Sequence, residues 1–199
     1  MEISAKEVME LRQRSGAGMM DCKKALTESC GDFEKALTVL REKGIATAQK
    51  RSGRATNHGY IAVYVHPGSK LAAMVEVNCE TDFVARNEKF QEFARNIAMH
   101  IVATNPLSIS EEDVDPEVVA KEREIYRGQA INEGKKPEFA DKIVEGRMKK
   151  FYAESCLLNQ IYIRDEAKKL TIQDLLSDLI ASIGENLVIG RFCRFQVGA

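Results

Sequence analysis

The chain has 199 residues, 29 Lys and Arg against 30 Asp and Glu, a formal net charge of −1 and 44% hydrophobic residues. That length suits one domain and a smaller companion, and no apolar run approaches the roughly 18 residues of a membrane span, so a soluble globular chain without a membrane partner is expected. Balanced charge argues against a protein whose main work is gripping nucleic acid.

The opening MEISAKEVMEL lacks the basic and then apolar pattern of a secretory signal, so a cytoplasmic location is expected. Cys22, Cys30, Cys79, Cys156 and Cys193 are odd in number and far apart. Without a C-x-x-C pair they predict neither a disulfide framework nor a zinc site, and each reads as a buried small hydrophobe.

Ser4 and Glu7 form a capping box ahead of Val8 and Leu11, which predicts a helix from Ser4 to Arg14, broken by Gly16 and Gly18. A second helix carries Cys22, Ala25 and Leu26 inward and stops at Gly31. Asp32 starts a third, with Phe33, Ala36, Leu37 and Leu40 at helical spacing and Gly44 closing it. The result is a three-helix bundle small enough to be marginal alone. Residues 1–54 are the one basic segment, with 11 Lys and Arg against 8 Asp and Glu. KRSGR (Lys50 to Arg54) reads as a solvated linker, with contact to RNA as the alternative, and the domain boundary falls there: 1–54, then 55–199.

GYIAVYVH alternates Ile61, Val63 and Val65 against Tyr60, Ala62 and Tyr64; Pro67, Gly68 and Ser69 supply a turn; LAAMVEVN returns with Leu71, Ala73, Val75 and Val77 on one face. Phe90, Phe93, Ala94, Ile97, Ala98, Ile101 and Val102 predict a helix from Asn87 to Ala103 lying across the hairpin, an α+β core. Residues 116–154 read as an antiparallel helical hairpin broken at Gly134-Lys135-Lys136-Pro137. Its narrow apolar stripe runs through Val118, Val119, Ile125 and Ile131 on one arm and Ala140, Ile143, Val144, Met148 and Phe151 on the other. Thr171 then caps a helix with Leu175, Leu176, Leu179, Ile180 and Ile183 inward, Gly184 ends it, and LVIGRFCRFQV is a strand expected to join the sheet.

Catalytic chemistry finds little support. His58, His66 and His100 have no metal-ligand spacing, and G-A-G at Gly16 to Gly18 lacks both the third glycine and a preceding strand of a phosphate cradle. No metal, cofactor or catalytic residue is expected. Two apolar features suggest binding. Met19 and Met20 are adjacent at a helix start, so they either present an adaptable contact or fill gaps in a small bundle. TDFVARN (Thr81 to Asn87) can cap a helix and send Phe83 and Val84 into the core; alternatively its carboxylate and ring anchor in another protein.

LRQRSGAGMMDCKKAL (Leu11 to Leu26) and EVNCETDFVAR (Glu76 to Arg86) resemble the two signature motifs of the bacterial elongation factor Ts family, in order. The resemblance spans nearly the whole chain, with GDFEKALTVLREKG, KIVEGRMKKF (Lys142 to Phe151) and IGENLVIGRF also matching. Ser15 stands where threonine is usual, and Ile161 where proline is usual. The resemblance implies a fold: an N-terminal three-helix UBA-like domain, an antiparallel-sheet core with packed helices, and a protruding coiled-coil hairpin. It also implies a function, guanine nucleotide exchange on elongation factor Tu without covalent chemistry. Arg12, Met19, Met20 and Lys23 match the family's N-terminal contact surface, Thr81, Asp82, Phe83 and Val84 the element that displaces the partner's Mg²⁺, and Ile183 and Gly184 a further contact. Longer members carry two similar subdomains, the second with a histidine whose setting resembles Tyr64 to Gly68 around His66. One copy here implies a homodimer in which a second chain supplies the other half. Direct nucleic-acid binding through the basic segment is the rival reading.

Overall fold

The computed structural model describes residues 3–134 and 137–198, and its first helix opens on the capping box that the sequence predicts. Ser4 Oγ accepts from the Glu7 N–H at 3.3 Å, and the Glu7 carboxylate accepts the Ser4 N–H at 2.8 Å. Among the described residues the chain is α+β, with eight α-helices and one antiparallel sheet of strand order β1-β2-β3. The elements are α1 (Ala5–Ser15), α2 (Met19–Glu28), α3 (Phe33–Arg51), β1 (His58–Val65), β2 (Leu71–Cys79), α4 (Asp82–Ala85), α5 (Glu88–Thr104), α6 (Pro116–Asn132), α7 (Pro137–Ser155), α8 (Ile172–Ile183) and β3 (Leu187–Gln196). The chain divides into two compact units.

One unit gathers Met1–Val63, Met74–Asn96 and Gln173–Cys193. In it α1, α2 and α3 bury Val8, Leu11, Cys22, Ala25, Leu26, Ala36 and Leu40 together. Gly44 does not close the third helix, which runs on to Arg51. Its missing side chain serves packing instead, because a β-carbon there would stand 3.8 Å from Ala181 Cβ and 3.4 Å from Asp178 Oδ1 on α8. Arg41 Nε of α3 donates to Asp174 Oδ1 of α8 at 3.2 Å, fixing the same pair of helices. The strands turn Ala62, Val75, Val77, Leu187 and Ile189 inward, while α5 contributes Phe90 and Ala94. The opposite face leaves Ile61, Val63, Met74 and Val188 exposed.

The other unit holds Tyr64–Ala73, Ile97–Ile172 and Arg194–Ala199. Here α6 and α7 run antiparallel, and Arg147 Nη2 donates to both Glu133 oxygens at 2.8 Å while Arg123 and Arg127 pair with Glu145 and Asp141. The apolar seam differs from expectation. Ile125 and Ile131 are exposed, whereas Ala130 is buried, as are Ala140, Val144 and Met148. Small residues at 130 and 140 let the helices approach closely, which turns the bulkier isoleucines outward. Lys135 and Lys136 of the expected breaker lie outside the described residues. The cysteines also differ: Cys22, Cys79 and Cys156 are buried, Cys193 is intermediate, and Cys30 is exposed on a tight turn with φ 54°.

Candidate functional site

Thr81, two residues past β2, is extended and caps the single helical turn α4, so the Asp82–Ala85 part of TDFVARN is helical. Thr81 Oγ1 accepts the Val84 N–H at 3.4 Å and donates to Glu185 Oε1 at 2.7 Å, while its own N–H donates to Glu185 Oε2 at 3.0 Å. The far end of α4 is held too, since Gln91 Nε2 donates to the Ala85 carbonyl at 3.1 Å. Beside it Glu80 Oε1 accepts the Asn186 N–H at 2.6 Å, and Asn186 Nδ2 donates to the Arg54 carbonyl at 2.8 Å.

On this braced turn Phe83 is 81% exposed. The ring does not enter the core; it is held out to solvent, where a large apolar surface remains unburied. Val84 is half-buried. Asp82 pairs with Arg86 Nη2 at 3.0 Å across one turn, with both side chains open to water. An exposed pair of that kind is worth about 0.3–0.5 kcal/mol, so Asp82 changes partner at small cost. Cys79 Sγ donates to the Thr81 carbonyl at 3.1 Å, and burial, reinforced by the Glu185 charge, pushes its thiol up to about 11. At neutral pH that thiol is no nucleophile. Among the described residues no group of three His, Cys, Asp or Glu side chains is placed to share a metal ion.

The α1–α2 junction is a second candidate. Gly16 ends α1 at φ 69° with its N–H on the Arg12 carbonyl, and Ser15 Oγ accepts the Ala17 N–H at 3.2 Å. This tight reversal starts α2 directly at Met19, with Cys22, Ala25 and Leu26 inward. Met19 and Met20 are both exposed, as are Arg12 and Lys23. Both thioethers stand on the outside of the bundle and do not fill gaps within it.

Ile183 and Gly184 end α8, Gly184 with φ 89°, and both are half-buried. Three hydrogen bonds tie this end to the other candidates. Ser182 Oγ donates to the Gly16 carbonyl at 3.3 Å, and Glu185 binds Thr81 as above. The structure therefore links the Met19–Met20 turn, the end of α8 and α4 into one bonded series within the first unit. His66 stands in the second unit, on the hairpin turn, exposed, with Nδ1 3.3 Å from the Tyr64 hydroxyl.

Glu80, Ser182, Glu185 and Asn186 brace this surface, and none was singled out by residue pattern. The one available signal was polarity immediately after a helix-ending glycine, in Gly184-Glu185-Asn186.

Comparison with known proteins agrees in extent. A family model described as "Elongation factor TS" matches residues 32–199. A curated relative named elongation factor Ts from Nitratidesulfovibrio vulgaris is 58% identical over 199 residues, covering 100% of this chain and 98% of the relative. One of the same name from Caldanaerobacter subterraneus subsp. tengcongensis is 57% identical over 196 residues, 98% of this chain and 97% of the relative. Another from Geotalea daltonii is 51% identical, covering 100% of this chain and 91% of its own.

Proposed function

The chain belongs to the elongation factor Ts family and serves as a guanine nucleotide exchange factor for elongation factor Tu in translation elongation; we propose that it acts as a wedge led by Phe83. On this reading α4 enters the GDP-bound partner near its Mg²⁺, the ring fills an apolar pocket, and Asp82 disturbs the groups that position the partner's metal. Loss of that ion leaves phosphate charge uncompensated, GDP departs, and GTP can bind. No covalent step is needed. The factor prefers the empty partner to the occupied one, and reciprocity makes it weaken GDP by the same factor, about tenfold for each 1.4 kcal/mol of preference. Burying a phenylalanine contributes on the order of 2 kcal/mol to that preference.

The supporting observation is the geometry of Phe83, 81% exposed on a turn braced from both ends. The three N-terminal helices, with Arg12, Met19, Met20 and Lys23 outward, suit a UBA-like docking module, and Ile183 and Gly184 a further contact. The α6–α7 pair suits the family's coiled-coil hairpin. A homodimer, with His66 of the second chain reaching the same partner molecule, fits the apolar sheet face that Ile61, Val63, Met74 and Val188 leave open. The setting of all this is the cytoplasm.

The rival nucleic-acid reading is weakened by the fate of the basic segment's cations. Arg14 pairs with Glu34, Lys35 with Asp32, Lys43 with Glu28, Arg41 with Asp174 and Arg54 with Glu80, so many are neutralised within the protein. Mixing the chain with elongation factor Tu loaded with labelled GDP tests the exchange reading. Phe83→Ala should slow stimulated release by tenfold or more, about the effect of removing 1.4–2 kcal/mol of wedge energy, while leaving the melting temperature in place. Unchanged release would overturn the wedge.

A further inference from the structure

We propose that Glu185 is a positioning residue for nucleotide exchange, the anchor that sets α4 in the attitude from which Phe83 and Asp82 act; this rests on the wedge reading above. A helix of four residues has no stability of its own, so its direction is inherited from whatever holds its cap. That cap is Thr81, and both of its donors are taken by one carboxylate, the N–H by Glu185 Oε2 at 3.0 Å and the hydroxyl by Oε1 at 2.7 Å. Charge-assisted bonds of this kind are roughly twice as strong as neutral ones.

The bracing is reciprocal. Glu80, just before Thr81, accepts the N–H of Asn186, just after Glu185, at 2.6 Å. Each acidic residue thus binds the backbone of the residue that follows the other. Glu185 also succeeds Gly184 at the end of α8, whose Ser182 reaches the Gly16 carbonyl of the α1–α2 turn. Contact made at that turn or at Ile183 therefore reaches α4 through the Glu185–Thr81 bonds and the Glu80–Asn186 bond beside them. With both oxygens engaged, Glu185 works through Thr81 and not by touching the partner.

The test uses the full chain with GDP-loaded elongation factor Tu and three readouts. Glu185→Ala should lower the release rate at saturating factor by about tenfold, with a smaller change in the concentration giving half-maximal effect. Glu185→Gln keeps an acceptor for the Thr81 N–H and offers its NH₂ to the hydroxyl, and so should restore most of the rate. In a Phe83→Ala background, Glu185→Ala should cost clearly less than it does in the parent, because only the action through Asp82 remains to be lost, whereas a general loss of structure would multiply with it in full. Hydrogen exchange at Val84, Ala85 and Arg86, whose N–H groups bond to Thr81 Oγ1, the Thr81 carbonyl and the Asp82 carbonyl, should quicken in Glu185→Ala while Leu26 and Ala36 keep their protection. Retained protection on α4, or fully multiplied effects in the double variant when Phe83→Ala itself slows release, would overturn the proposal. If Phe83→Ala alone leaves release unchanged while Glu185→Ala loosens α4 and slows release, the wedge reading falls and the anchor stands, acting through Asp82.

Discussion

Asp178 Oδ1 lies 3.4 Å from the point that a β-carbon on Gly44 would occupy, with Ala181 Cβ at 3.8 Å and the Ser177 carbonyl at 3.9 Å from the same point. The glycine thus faces α8 at van der Waals distance, and its role is room. Those distances are ordinary contact for one methyl group and leave none for a branched chain. Gly44→Ala should therefore leave stability level or raise it, because alanine gains about 1 kcal/mol of helix propensity over glycine. Gly44→Leu should cost about 1–3 kcal/mol by overpacking. Urea midpoints of the two variants distinguish this arrangement from a loose one, in which both substitutions would be harmless.

Asp178 itself carries a pH signature. Burial, and then the neighbouring Asp174 charge, push its carboxyl from 3.8 to about 6, although Arg41 opposes the shift. A raised carboxyl means that the folded state holds the proton more tightly than the unfolded one. Its stabilising contribution is complete below the unfolded value of 3.8 and is lost as pH rises through about 6. Asp178→Asn removes the charge and should melt higher than the parent at pH 7.5, the gap closing toward pH 4. A constant gap across that range would mean that Asp178 does not titrate there.

His100 acts with the opposite sign. Its ring is buried; Nδ1 accepts the Ile163 N–H at 3.4 Å, and Nε2 lies 2.9 Å from Gln160 Oε1, which also accepts from Thr104 Oγ1 at 2.8 Å. These partners suit a neutral imidazole that donates from Nε2. Burial holds its pKa below 6.5, only partly offset by the Gln160 bond. Stability from this group is present above pH 6.5 and lost as pH falls below it. His100→Gln should lower the urea midpoint at pH 7.5 and flatten its decline between pH 6.5 and 5, separating this slope from that of Asp178. An unchanged decline in the variant would exclude His100 as its source.

How far the residues foretold this arrangement depended on the range of the interaction. The Ser4–Glu7 capping box, the Asp32 cap and the hairpin turn at Pro67 to Ser69 are local, and each was legible. Gly44 looks like a helix end from its own neighbours, because its reason is α8, which lies more than 120 residues away in sequence. Apolar spacing points Ile125 and Ile131 inward, since spacing carries no sign that the small Ala130 takes the buried place. The candidate contacts Met19, Met20 and Phe83 carried a visible oddity, apolar residues beside turns. Glu185 and Asn186 carried none, since a bond between residues 81 and 185 leaves no trace in either neighbourhood.

The open sheet face gives the last prediction. Ile61 and Val63 on β1, Met74 on β2 and Val188 on β3 all point away from the buried side, and Ile61 and Val63 are 61% and 55% exposed. Exposed aliphatic residues on three neighbouring strands, beside the polar Glu76 and Asn78 of the same face, cost solubility unless something covers them. A second copy offers the same patch in return, so a twofold pairing is self-complementary. Val63→Glu places a charge in the middle of such a contact, where desolvation without a partner costs several kcal/mol, while the exposed site leaves the monomer fold untouched. Sedimentation equilibrium should give twice the 22.3 kDa chain mass for the parent and the single mass for Val63→Glu, with the same far-ultraviolet circular dichroism. Val63→Thr, which keeps the β-branched shape, should stay dimeric. A parent that sediments as a monomer at micromolar concentration would remove the dimer, and with it any action of His66 in trans.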